Sequence, residues 1–357
     1  MGVAGREGFD FVAVGDVIPT RPIPLESDLP PAVAAAFGRI RSADVAFASL
    51  ETVFTDRGTP ADKVVCYRSP VDIAAGFAAI GFDVVSLANN QTLNYGWGAL
   101  SDSMRLLESH GIHCIGAGED ANAAWRPHVI EIAGVSAAIL AFTCVAPLGW
   151  AAGIDRPGLA AVRVRTSYEL DARWEQEEPG VQPRVRTWLE QSEIERVTRA
   201  VVAARESADV VIVAVHWGLG SSGARSDYQL QLAGAITASG ADLVLGSHSP
   251  HLQGIDATSD SFVSFSAGTF MRQQPRPAEL SAVYEAMPKS GYVLTVGFDK
   301  QGLESARVEP TLIGEDDLAG LAPVADAEAA LAVLESRSTF EGVKSVRQGN
   351  ALVISRR

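Results

Sequence analysis

Two apolar runs that each end on a histidine constrain this chain more than any other feature. Val210-Val211-Ile212-Val213-Ala214-Val215 leads into His216-Trp217-Gly218, and Ala241-Asp242-Leu243-Val244-Leu245 breaks at Gly246-Ser247 before His248 and His251. Branched runs of this length suit strands buried on both faces. A strand that ends on a histidine places the imidazole at a sheet edge, where α/β proteins keep their chemistry.

The rest of the 357 residues alternates in the same way. Strands are predicted at Phe9–Val14, Asp44–Leu50, Phe82–Leu87, Ile112–Ile115, Ser261–Ala267, Gly291–Phe298 and Ala351–Ile354. Helices are predicted at Pro30–Ile40, Val71–Ile80, Trp97–His110, Ser192–Glu206 with Ser192 as its N-cap, Asp227–Ser239 and Ala325–Glu335. His128–Ile132 and Ser136–Thr143 read as a hairpin around Ala133-Gly134-Val135. This alternation gives an α/β class with helices layered on a sheet, in a single domain over 1–357. Residues 148–191 stand apart: Trp150, Trp174, Trp188, three prolines and the acidic run Glu175–Glu178 lack a period, so they read as an insertion or a lid over the strand ends.

Charge narrows the partners. The 29 basic and 43 acidic residues give −14, which disfavours nucleic acid and anionic membranes. Cys66, Cys114 and Cys144 are isolated, as in a reduced compartment. No run approaches the ~20 apolar residues of a membrane span. The N-terminal MGVAGREGFDFVAVGDV lacks the basic region and long apolar core of a leader. A soluble, cytoplasmic protein is the expectation, its oligomeric state open.

Asp16, Glu51, Asn89, Asn90, His216, His248 and His251 all follow apolar runs. Each has an ordinary use: Asp16 in a turn, Glu51 in solvent, Asn89-Asn90 as an Asx turn or cap, a histidine in packing. Together they form the mixed imidazole, carboxylate and amide set that holds a divalent metal. Ca²⁺, Mn²⁺, Zn²⁺ and iron all remain open.

In their order, Val14-Gly15-Asp16, Ser49-Leu50-Glu51, Ser86–Gln91, Val215–Gly218, Ser247–His251 and Ser266–Phe270 resemble the motifs of the CapA-like branch of the calcineurin-like metallophosphoesterases. The resemblance implies a four-layer αββα sandwich with a metal at the strand C-terminal ends. It makes Asp16, Glu51, Asn90, His216, His248 and His251 ligands or near neighbours. Four positions depart from the pattern. Gln91 replaces the histidine that protonates a leaving oxygen, and a side-chain amide cannot do that. Asn94 and Thr269 replace the usual Asp and Asn, and Asp16-Val17-Ile18 lacks the histidine of a second metal site.

Those departures turn the expectation from phosphate esters toward carbon. The CapA-like fold also serves lasso-peptide epimerases, and the resemblance implies one divalent ion lending Lewis acidity while two acid–base groups act on opposite faces of Cα in a precursor peptide. Asp16, His216, His248 and His251 are the candidates for proton transfer. Lys63 and Arg68 are candidates to hold a carboxylate, with Asn89, Gln91 and Trp217 beside the substrate. The tryptophans of 148–191 are candidates for a peptide groove. The alternatives are a metal-dependent phosphoesterase or CapA-type enzyme acting on γ-glutamyl polymers, and a non-catalytic, metal-containing peptide-binding protein.

Overall fold

The apolar runs become the parallel strands of two sheets. The structure, a computed structural model, describes residues 8–356; residues 1–7, part of the stretch read as lacking a leader, lie outside the described residues. In the first sheet Phe9–Ile18, Val45–Leu50, Val84–Ser86 and His113–Ile115 run parallel. Ser290–Asp299 pairs antiparallel on the other side of Phe9–Ile18, followed by Gly302–Ile313, Ala351–Arg356 and Val343–Gln348. In the second sheet Val135–Thr143, Val210–Trp217, Leu243–His248 and Phe262–Ser266 are parallel. His128–Ile132 and Gly254–Ala257 flank them antiparallel.

Side chains alternate across each strand, and both faces of these sheets are covered. Phe11, Phe47 and Leu294 of the first sheet meet Ile139, Ile212 and Leu245 of the second in one buried core. On the outer face of the first sheet, Val12 and Val14 pack under Phe37 of helix Pro31–Arg41 and Leu100 of helix Gly96–Ser109. On the outer face of the second, Val213 and Val215 pack with Val201 of helix Gln191–Ser207 and Leu232 of helix Asp227–Ala238. The order helix, sheet, sheet, helix is the expected four-layer sandwich.

Some elements differ from the sequence reading. The helix expected to start on Ser192 begins at Gln191, with Glu190 as N-cap; Ser192 falls inside its first turn. Gly302–Ile313 is a strand that the sequence hides, because Glu304, Arg307, Glu309 and Pro310 interrupt its apolar pattern. Residues 148–191 are not featureless: Val164–Glu169 and Arg184–Leu189 form an antiparallel hairpin. Its base docks on helix Asp227–Ala238, where the Leu189 amide donates to Gln231 Oε1 at 2.9 Å. The three cysteines are free, and no helix among the described residues is long and apolar enough to cross a membrane.

Candidate metal centre

A bulge delivers the first carboxylate. The pairing of Phe9–Ile18 slips between Ala13 and Asp16, where Gly15 presses against the turn at Gly268. A Cβ on Gly15 would lie 1.9 Å from the Gly268 carbonyl oxygen, so only glycine fits there. Asp16 beyond it is buried, and its Oδ2 accepts the His248 amide at 2.8 Å. His248 ends its strand at φ +92°, a conformation that costs energy for a side-chain-bearing residue and that clusters at functional sites.

His216 is the hub. Its Nε2 lies 2.9 Å from Glu51 Oε1 and 3.1 Å from Asn90 Oδ1. Its Nδ1 lies 2.9 Å from Ser247 Oγ and 3.7 Å from Asp16 Oδ1. One ligating atom from each of Glu51, His216 and His248 falls within a mutual 4.8 Å. The His216 and His248 rings meet edge to face, with centroids 4.8 Å apart. Ser247 thus fixes the His216 ring from behind while Glu51 and Asn90 face its other nitrogen, the arrangement by which outer groups orient a metal-bound imidazole. Asp16 stands on the Nδ1 side of the ring, outside the group formed by Glu51, His216 and His248.

Burial shapes the charges. It pushes the Glu51 carboxyl up to about 8. It also pushes Asp16 up to about 7, with the Glu51 charge adding to the rise. The imidazoles move the other way, His216 down to about 4 and His248 to about 3, again through burial. Two neutral imidazoles, a carboxylate costly to ionise and an amide oxygen form an electron-rich pocket short of positive charge. That donor set fits a divalent ion of borderline character. Asp16 Oδ1, buried without a hydrogen-bond partner, faces the same cavity of about 150 Å³.

Among the residues singled out from the sequence, Asp16, Glu51, Asn90, Gln91 and His248 line that cavity, with His216 packed directly behind. The others lie elsewhere. Pro250 lines the cavity, but His251 turns into a second cavity of about 230 Å³ beside Pro288 and Arg337. Asn89 is fully buried: its Oδ1 accepts the Gln91 and Thr92 amides and its Nδ2 donates to the Leu50 carbonyl, so it builds the turn rather than holding substrate. Trp217 is also fully buried, stacked on Phe265 and donating to its carbonyl at 2.9 Å; it is core, not a substrate contact. Lys63 donates to Asn94 Oδ1 at 2.8 Å, Gln91 Oε1 at 3.3 Å and the Asn90 carbonyl. It clamps the Asn90–Asn94 loop, with its ammonium 4.9 Å from the Trp150 ring. Arg68 lies over Tyr95 and lines a separate cavity with Arg21.

No residue of 148–191 lines the metal cavity; its far wall is Tyr67, Gly220, Arg272, Gln274 and Met287. Of these, Arg272 carried a signal in the sequence, a charged residue closing the apolar strand Thr269–Arg272 just past the Ser266–Phe270 motif.

Comparison with known proteins fits this geometry. The family described as "Bacterial capsule synthesis protein PGA_cap" matches residues 10–274. A probable polyglutamine synthesis accessory protein of Mycobacterium tuberculosis is 28% identical over 257 residues, 70% of this chain and 62% of its own length. The PGA biosynthesis protein CapA of Bacillus subtilis is 24% identical over 72% of this chain and 60% of its own. The capsule biosynthesis protein CapA of Bacillus anthracis is 25% identical over 60% of this chain and 46% of its own. The chain therefore spans less than two thirds of the length of these relatives. With the family's motifs converging on one metal-ligand cluster in a four-layer sandwich, this chain belongs to the PGA_cap family, the CapA-like members of the calcineurin-like metallophosphoesterase superfamily.

Proposed function

We propose that this chain is a metal-dependent enzyme of the CapA type acting on amide-linked, carboxylate-bearing chains of the γ-glutamyl kind. The observation that carries this reading is the Glu51–His216–His248 cluster opening on a cavity whose wall holds Gln91 where a phosphatase keeps its acid. The names of the relatives, which concern polyglutamine, PGA and capsule synthesis, favour glutamyl polymers as the substrate class. Glu51, His216, His248 and Asn90 would hold the ion. A divalent ion bound there supplies Lewis acidity toward a carbonyl or carboxylate. Asp16 Oδ1, without a hydrogen-bond partner and 3.7 Å from His216 Nδ1, is the atom that takes up and returns a proton at the cavity. Ser247 and the His248 amide hold the His216 ring and the Asp16 carboxylate in place for this.

A second reading, inversion at Cα of a precursor peptide, is favoured by Gln91 itself: removing a Cα proton creates no leaving group, so the missing acid costs nothing. Two assays separate the readings. Incubation with poly-γ-glutamate and Mn²⁺ or Zn²⁺, followed by size exclusion, is expected to shorten the polymer in the wild type and not in Asp16→Asn. Deuterium gained at peptide Cα in D₂O with the polymer left intact would replace the first reading by the second. Turnover of p-nitrophenyl phosphate, raised by Gln91→His, would defeat both.

A further inference from the structure

Six buried side-chain atoms among the described residues lack a hydrogen-bond partner, and three of them, Asp16 Oδ1, Arg272 Nε and Gln274 Oε1, belong to residues that line the metal cavity. Unsatisfied buried polar atoms are rare and each costs about 1–3 kcal/mol, so a cluster in one cavity points to a missing partner. Arg272 is 4% and Gln274 5% exposed. Arg272 is anchored at one end: its Nη1 donates to the Pro288 carbonyl at 3.2 Å and the Met287 carbonyl at 3.4 Å. That anchorage leaves Nε as the unpaired edge of a guanidinium on the cavity wall. The neighbouring Gln273 differs, since its Oε1 accepts the Arg21 amide at 3.2 Å and its carbonyl accepts the Thr20 hydroxyl.

The two vacant groups ask for opposite things. Arg272 Nε–H is a donor on a permanent cation and seeks an anionic oxygen. Gln274 Oε1 is an acceptor and seeks an N–H. A phosphate ester offers only acceptors and pairs with Gln274 only if the amide turns over, whereas an amide-linked residue with a free carboxylate satisfies both as they stand. About 150 Å³ is room for roughly five waters, the scale of one such unit.

We propose that Arg272 and Gln274 form the recognition subsite beside the metal centre, Arg272 binding a free carboxylate of the substrate and Gln274 accepting an adjacent amide N–H. The subsite rests on the reading of the substrate as a γ-glutamyl chain and specifies which two groups of each unit are read. The strand Thr269–Arg272 and the residues just after it thereby set substrate choice.

The test changes the ligand rather than a buried arginine that holds two carbonyls. The full chain, with Mn²⁺ present, is titrated calorimetrically with γ-glutamylglutamate, with its ester-linked analogue lacking the N–H, and with the analogue whose carboxylates are carboxamides. The ester and the carboxamide are each expected to bind about tenfold more weakly than the parent. Gln274→Leu is expected to bring ester and amide within twofold of each other. Equal binding of ester and amide by the wild type, equal binding of carboxamide and carboxylate, or no binding of γ-glutamylglutamate would each overturn the subsite. Discriminating binding without polymer shortening would instead defeat the cleavage reading and leave the subsite standing.

Discussion

Burial favours the protonated forms of Glu51 and Asp16, and a cation would displace those protons. Burial raises both carboxyls, to about 8 and about 7, so the metal-free fold binds these protons more tightly than the unfolded chain does. The stability linked to Glu51 is therefore complete below its ordinary 4.5 and is lost as pH rises through about 8. Metal binding works against the same protons, so affinity should climb between pH 6 and about 8 with proton release. Calorimetry in two buffers of different ionisation heat measures that release; identical heats would contradict it. Glu51→Gln removes both effects: metal binding should fall by at least tenfold, and the metal-free stability loss above pH 7 should flatten in urea titrations. Much of this was legible in the sequence, since Asp16, Glu51, Asn90, His216 and His248 each close an apolar run and strand direction does the rest. His251 was not, because a loop residue beyond Pro250 can turn either way. Arg272 closes an apolar strand as well, but its vacant edge and that of Gln274 stayed hidden, because in a sequence a vacant hydrogen-bonding edge looks the same as a satisfied one.

Elements were read well where one force dominates and poorly where two compete. The parallel strands and the helices over them announce themselves by apolar period. Gly302–Ile313 does not: pairing with Ser290–Asp299 and Ala351–Arg356 holds it in the sheet despite Pro310 and its charges, so neighbours override local preference. The hairpin from His128 to Thr143 was legible from its turn, where Ala133 at φ +48° precedes Gly134 at φ +78°. Both angles suit the tight turn that matches strand twist, yet alanine in that conformation costs about 1 kcal/mol. Ala133→Asn, giving Asn-Gly at the turn, should therefore stabilise the protein by about 0.5–1 kcal/mol. A rise in the urea midpoint at constant slope is the expected readout; an unchanged midpoint would mean that the turn is not strained.

For the whole molecule, the family match stops short of the fold. It ends at residue 274, but Ser290–Asp299 lies directly beside Phe9–Ile18 and puts Val296 and Leu294 into the core between the sheets. A chain ended after Gln274 would bare one side of the strand from Phe9 to Ala13 and leave that core open. It should lose cooperative unfolding and metal binding together, as circular dichroism and calorimetry would report.

The donor atoms are also divided by ownership. Asp16 lies in the first sheet and Glu51 and Asn90 on the loops that follow its strands, whereas His216 and His248 lie in the second. The metal centre is thus a rivet through two plates, and its geometry measures how the plates are seated. Ile212 lies in the layer between them, on the same strand as His216 and paired with Leu243 and Ile139. Ile212→Ala should cost about 2–5 kcal/mol of stability. Because the plates then settle closer or slip, it should also loosen metal binding without touching a ligand. In reverse, an ion in place should resist shear between the sheets, raising the unfolding temperature and slowing amide exchange in strands far from the site. The sandwich would then report on the occupancy of its own rim.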